Sequence, residues 1–230
     1  MIRCGSYGET LNSTIPETDA RGIMKNLRYN SGACALLMLF GTACGAPSAE
    51  SASDAAASSA AAATSMAGDQ LAAIEVVAAA LSVATDMEVR SARSPMPGVI
   101  TAGQPTQEQL EALNEAGVTH FISLRPTAEG GAGWEEAHAA DGSYDFDRLP
   151  ISGAASLTRE NVDIFATMLE KTGGAPTVLY CASSNRVGAM LALKAHWIDG
   201  VDAAEALEIG LAAGMTRLEA PVRELLGLES

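Results

Sequence analysis

The segment of this chain whose residue types and spacing speak most directly of chemistry is Val178-Leu179-Tyr180-Cys181-Ala182-Ser183-Ser184-Asn185-Arg186-Val187-Gly188. A short apolar strand ends, a tight run of small residues follows, and a long apolar helix opens at the arginine. In such a turn the amides of Ala182, Ser183, Ser184, Asn185 and Arg186 can point inward and add their dipoles to the positive end of the helix. A cysteine at the start of that ring has its thiolate stabilised and becomes a nucleophile near neutral pH. Arg186 can present a two-pronged donor to a bound oxyanion. The bland alternative is that Cys181 is a small apolar residue closing a strand, with Arg186 a surface charge. At a helix start, however, that charge has the unfavourable sign. Cys181 and Arg186 are therefore the candidate catalytic pair, and Ala182, Ser183, Ser184 and Asn185 the candidate anion-binding loop.

Other titratable groups are candidates for supporting parts. Arg125 and Glu129 follow an apolar run at 118–124, beyond the C-terminal end of a strand, where α/β proteins build sites. They form a possible pocket, or a plain loop salt bridge. Asp145, Asp147 and Glu129 are the carboxylates available as a proton donor; for the two aspartates an exposed strand edge is the favoured reading. His120, His138 and His196 have no metal-ligand spacing, so no metal and no cofactor is assigned.

The elements that must position this loop can be read from periodicity. Thr106 with Gln109 forms a capping box before Leu110, Leu113 and Ala116 at helical spacing, and Gly117 ends that helix. Residues 118–124 read as a strand, 134–140 as a short helix, and 144–151 as a second strand. Thr158 caps a helix carrying Val162, Phe165, Met168 and Leu169, which Gly173-Gly174 breaks. Residues 176–180 form a buried strand and 187–198 a central helix. Asp202 with Glu205, and Thr216 with Glu219, read as capping boxes opening helices to about Ala213 and Leu226. Strands alternating with helices imply an α/β fold with a mainly parallel sheet covered on both faces.

On these residues, residues 96–227 resemble the phosphatase-like domain of beta-lactamase hydrolase-like proteins, itself related to dual-specificity tyrosine phosphatases. Supporting stretches are Thr101-Ala102-Gly103-Gln104-Pro105-Thr106, Phe121-Ile122-Ser123-Leu124-Arg125-Pro126 with Glu129, and Gly210-Leu211-Ala212-Ala213-Gly214-Met215-Thr216. The resemblance implies a tyrosine-phosphatase-like α/β domain, with Cys181 as nucleophile, Arg186 as oxyanion clamp and a phospho-cysteine intermediate. The chain departs from that pattern in several places. Cys181 and Arg186 enclose four residues where the family encloses five, a shorter ring that resembles the persulfide-holding loop of rhodanese-like sulfurtransferases. Tyr180 stands where the family has histidine, Val187 and Gly188 supply no hydroxyl (Ser183 or Ser184 being the available ones), and Gly153 stands where it carries its acid. Three functions follow as expectations: a phosphatase of phosphorylated or other oxyanion substrates, a sulfurtransferase, or a non-catalytic anion- or partner-binding module.

The first third of the sequence does not read as core. Residues 1–23 are polar, and Met24 is a plausible start that would make them an extension. After Met24 a basic stretch, an apolar run at 33–40 and Gly41-Thr42-Ala43-Cys44 follow, a secretory signal pattern whose last residues resemble a lipoprotein cleavage site. The resemblance implies lipidation of Cys44, export to the periplasm and membrane anchoring; a soluble exported product is the alternative. If Cys44 carries lipid, Cys181 is the only thiol of the mature chain, which excludes a disulfide scaffold. The expected organisation is a signal region at 1–44, a flexible Ala/Ser-rich tether at 45–86 and the phosphatase-like domain at 87–230. The formal net charge of −14 argues against nucleic acid as a partner, since phosphate backbones demand a basic footprint. An anion site in such a chain must rely on local dipoles and arginines.

Overall fold

The computed structural model describes residues 50–142 and 144–228, with side chains from residue 68. The expected signal region, Cys44 and the start of the expected tether lie outside the described residues. In chain order the elements are α1 (Glu50–Asp86), β1 (Arg93–Met96), β2 (Val99–Ala102), α2 (Gln107–Glu115), β3 (His120–Ser123), α3 (Glu135–Asp141), β4 (Asp145–Arg148), a 3-10 turn (Ala154–Ser156), α4 (Arg159–Lys171), β5 (Thr177–Tyr180), α5 (Asn185–Trp197), α6 (Ala203–Ala212) and α7 (Glu219–Leu225). The strands form one sheet in the order β1-β2-β5-β3-β4. Only β1 runs antiparallel to its neighbour. This is the mainly parallel α/β architecture that the alternation of elements implies.

Register then decides where a site can form. Ala102, Tyr180, Ser123 and Arg148 lie side by side as the last residues of β2, β5, β3 and β4. The loops that follow all open on one edge, with β5 in the middle. Because successive strand residues face opposite sides, Val178 and Tyr180 pack with Ile100, Phe121, Leu110 and Leu113, against α1 and α2. Leu179 and Cys181 pack with Ile122, Val162, Phe165 and the apolar residues of α5 on the other face. The sheet is thus covered on both faces, and β5 delivers Cys181 to the α5 side.

The expected flexible tether is corrected over residues 50–86, which form a single helix. Alanine is the strongest helix former, and Ala73, Val77, Ala80 and Ala84 recur at helical intervals and are buried. Small side chains lost little there, since they let the helix approach the sheet closely. The folded unit therefore begins well upstream of residue 87. The Thr106 capping box is present, and Thr158 caps α4 through the Asn161 amide. Asp202 caps α6 through the Ala204 amide without the expected box. The Thr216–Glu219 box is also corrected. Thr216 turns its amide to Asn185 instead, and α7 starts at Glu219 with no side-chain cap. The β1–β2 hairpin, with Pro95 tolerated on an edge strand, is an element that the apolar pattern does not announce.

Candidate active site

At the end of β5 the Cys181 amide still donates to Ala102 O, at 3.3 Å, as the last rung toward β2. The chain then leaves the sheet. Ser184 adopts a left-handed conformation (φ 64°) just before α5, a strained position for a non-glycine residue. Its hydroxyl is turned away from the loop centre and donates to Ala213 O at 2.6 Å. Asn185 is engaged in the same direction. Its Oδ1 accepts from the amides of Thr216 at 2.8 Å and Leu218 at 3.2 Å. Neither side chain lines the loop, so Ser184 cannot aid a leaving thiolate; both anchor the loop to residues 213–218. Glycines make that approach possible: a Cβ on Gly188 would stand 2.4 Å from Gly210 O, and one on Gly214 2.8 Å from the Ser184 Cβ. On the other side, a Cβ on Gly103 would stand 3.0 Å from Ala182 O.

The consequence for the backbone is specific. The first hydrogen bond of α5 runs from Gly188 N–H to Ser184 O, at 2.9 Å. The amides of Ala182, Ser183, Ser184, Asn185, Arg186 and Val187 have no acceptor among the described residues. Unpaired donors are the rule at a helix start, but here they continue back through the whole turn between sulfur and guanidinium. That is the concave donor array which binds oxyanions. Cys181 itself is buried, 1% exposed.

Arg186 lies beside the Cys181 sulfur, close enough to interact with it directly. Its end is held in place: Nη1 and Nη2 donate to Glu129 at 2.6 and 2.8 Å, and Nη1 also to Ile151 O at 2.7 Å. Glu129 further accepts from Arg125 Nε at 2.9 Å. Arg125 and Glu129 are therefore not a free-standing loop pair, and one carboxylate sits between two guanidinia. Arg186 first, then Arg125, hold the Glu129 carboxyl down at about 2 against the upward push of burial. The Glu129 hydrogen bonds in turn raise Arg186. Beyond Glu129 and Ile151 O, the remaining contact of the guanidinium is with the Cys181 sulfur, and no further carboxylate or carbonyl among the described residues takes up its Nε–H or its second Nη2 hydrogen. A guanidinium has such a second two-pronged edge to give.

Behind this first line lies a buried network centred on Glu135, a residue that no sequence signal pointed out. Arg125 Nη1 donates to Gln104 Oε1 at 2.8 Å, and Gln104 Nε2 to Glu135 Oε1 at 3.0 Å. Glu135 is fully buried and also accepts from Tyr180 OH at 3.2 Å, Gly133 N–H at 2.7 Å and Arg148 Nη2 at 2.9 Å. Burial pushes its carboxyl up, but its own backbone amide, Gln104 and Arg148 outweigh that, and it stays below the usual range. Tyr180 is raised by burial and by the Glu135 charge. It serves as a neutral donor that pins Glu135 across 45 residues of chain.

Of the proton-donor candidates, the two aspartates lie on β4 and Glu129 lies beside Arg186. Asp145 is exposed and pairs with His120 at 3.3 Å, at the start of β4 and so at the far edge of the sheet. Asp147 precedes Arg148 on the edge strand β4. Glu129 is close enough but stays ionised. His138 contacts Glu111 and Tyr144, and His196 contacts Val201 O. No cluster of metal-ligating side chains occurs among the described residues. A cavity of about 510 Å³ lies between α1 and residues 173–176, at the opposite edge of the sheet from Cys181.

No protein-family model matches the chain, and no curated protein matches it. Among solved structures it is similar to a candidate phosphatase (DUF442) from Shewanella putrefaciens CN-32, at 19% identity over 63% of this chain and 97% of that one, with a TM-score of 0.49. A candidate phosphatase from Neisseria meningitidis Z2491 is similar at 16% identity over 57% and 95%, TM-score 0.47. The human tyrosine phosphatase-like serine/threonine/tyrosine-interacting protein is similar at 12% over 60% and 97%, TM-score 0.46. Likeness at this level carries no chemistry across; that rests on the loop itself.

Proposed function

We propose that this domain is a cysteine-dependent phosphatase acting on phosphoaryl esters. The observation that carries the reading is the unbroken run of unpartnered amides from Ala182 to Val187, closed by the Cys181 sulfur at one end and by the Arg186 guanidinium beside it at the other. Phosphoryl oxygens seated on those amides and that guanidinium would place phosphorus over Cys181. The thiolate attacks phosphorus, an S–P bond forms, and the P–O bond to the aryl group breaks. Water then attacks phosphorus, the S–P bond breaks, and thiolate and inorganic phosphate are regenerated. The amides stabilise the charge on the equatorial oxygens throughout. Glu129 holds Arg186 in register, since its fixed negative charge leaves it no proton to give. With no general acid in residues 149–158, the leaving group must depart as an anion. A phenolate can do so far more readily than an alkoxide, which is why the reading narrows to aryl esters.

The four-residue ring supports a second reading, sulfur transfer through a persulfide on Cys181. One comparison separates them: p-nitrophenyl phosphate hydrolysis, and thiocyanate formation from thiosulfate and cyanide, each with the intact protein and its Cys181→Ser variant. Cys181-dependent phosphate release is the expected result. Thiocyanate instead would establish the transferase. Silence in both, with vanadate or phosphate still bound, would leave a binding module. We also propose export and lipidation at Cys44, and failure to incorporate a labelled fatty acid in cells would refute the lipid anchor.

A further inference from the structure

The described arginines divide into two groups. Arg125, Arg148, Arg159, Arg186 and Arg223 are ion-paired. Arg90, Arg93 and Arg217 are exposed, and their side chains have no acidic partner and no hydrogen bond among the described residues. In a chain of formal net charge −14, these three unpaired cations are not scattered.

All three sit around the anion loop, brought there by different parts of the fold. Arg90 O accepts the Gly103 amide at 2.6 Å, and Gly103 in turn packs against Ala182. Arg93 lies opposite Thr101, near the site end of β2, because β1 runs antiparallel and begins at that edge. Its Nη1 would stand 3.3 Å from a Cβ on Gly214, the residue packed against Ser184. Arg217 lies between Thr216 and Leu218, whose amides both grip Asn185. Each arginine is thus one packed residue away from Ala182, Ser184 or Asn185. The exposed carboxylates nearest in sequence are Asp86 and Glu88; Glu219 is occupied by Arg223.

We propose that Arg90, Arg93 and Arg217 form a basic rim that selects phosphotyrosyl peptides with acidic residues flanking the phosphorylated side chain. This rests on the phosphatase reading for the site and adds its substrate class. The rest of the acidic surface repels polyanions at long range, so a substrate with flanking carboxylates is accepted only where these arginines offset that field. A peptide fits this arrangement because Arg90 approaches the loop at Ala182 through Gly103, whereas Arg93 and Arg217 approach it at Ser184 and Asn185 through residues 214–218. Flanking residues on either side of a phosphotyrosine reach them together, whereas a small aryl phosphate reaches none. Exposed pairs of this kind are weak singly and screened by salt. Each arginine is expected to change affinity about two- to fivefold, and the three together about tenfold or more at low ionic strength.

The test compares phosphotyrosyl peptides with acidic, neutral or basic flanks against the full chain and the Arg90→Gln, Arg93→Gln, Arg217→Gln triple variant. Two measurements are made: kcat/KM for each peptide and for p-nitrophenyl phosphate, and the Kd of each peptide on the Cys181→Ser form. The expected result is a preference for acidic flanks of about tenfold that collapses in the triple variant and in high salt, with p-nitrophenyl phosphate turnover unchanged. Equal kcat/KM for all flanks, alongside Cys181-dependent turnover, would overturn the rim and leave the phosphatase standing. If no substrate is turned over, the Kd values on the Cys181→Ser form still decide it. A flank preference lost with the arginines supports the rim, and its absence refutes it.

Discussion

Replacing Glu129 by glutamine isolates the charge that holds the candidate site together. In the native chain this carboxylate lies between Arg186 and Arg125, whose side chains are 11% and 8% exposed. Glutamine keeps the size and one acceptor but leaves two nearly buried guanidinia without a counter-charge. The downward shift of Glu129 from 4.5 to about 2 corresponds to an upper bound of about 3.4 kcal/mol. Because the Glu129 side chain is 31% exposed, solvent screening brings the expected cost to about 2 kcal/mol at neutral pH. The pH dependence is the sharper part. A carboxyl whose folded value is depressed contributes fully above the unfolded value of 4.5 and loses that contribution as pH falls toward 2. Near pH 3.5 the unfolded chain already binds the proton while the folded one does not, and about two-fifths of the contribution is gone. Urea unfolding followed through Trp134 and Trp197 should therefore show a stability gap between native and Glu129→Gln protein that narrows by about 1 kcal/mol between about pH 7 and about pH 3.5. A gap that stays constant or widens would refute the argument that Glu129 is held ionised by the two arginines.

Further outcomes follow from the same geometry. Asn185→Ala removes the acceptor for the Thr216 and Leu218 amides; a loss of about 2 kcal/mol is expected, with faster amide exchange at those two residues. Gly188→Ala forces a methyl to within 2.4 Å of Gly210 O and 2.6 Å of Met215 N; separation of α5 and α6 should cost about 3 kcal/mol, read as a drop in Tm. Tyr180→Phe removes one of several donors to Glu135 and should cost about 1 kcal/mol. Glu135→Ala strips the buried partner of Arg148 and should cost about 3–5 kcal/mol. Similar losses for these two in thermal unfolding would mean that Glu135 is not the hub of the network.

The site was legible in the sequence where its parts are neighbours. Cys181 and Arg186 belong to one turn, and strand, small residues and apolar helix follow one another in order, so local physics is enough to bring sulfur, amides and guanidinium together. Arg125 and Glu129 were legible as a pair four residues apart, but not as partners of Arg186. Glu129 reaches Arg186 across 57 residues, a distance no local rule spans. Ser184 and Asn185 looked like loop-lining groups because small polar residues at a helix start usually face their own amides. Instead, residues 213–218 pack so closely that they capture both side chains. Glu135 and Arg148 carried no signal, being ordinary polar residues on α3 and β4, and nothing local joined Gln104, in the loop after β2, to either of them.

What the sequence determined by itself is the run of elements from α2 onward and the local turn. Apolar periodicity, caps and glycine stops act within a few residues and need no partner. Tertiary structure alone decided that four parallel strands end in one line, so that Arg125, Arg148, Cys181 and Gly103 share an edge. It also decided the fate of residues 68–86. Their alanines are too small to signal a core in sequence, yet on packing they become buried because small side chains let a helix lie close to a sheet.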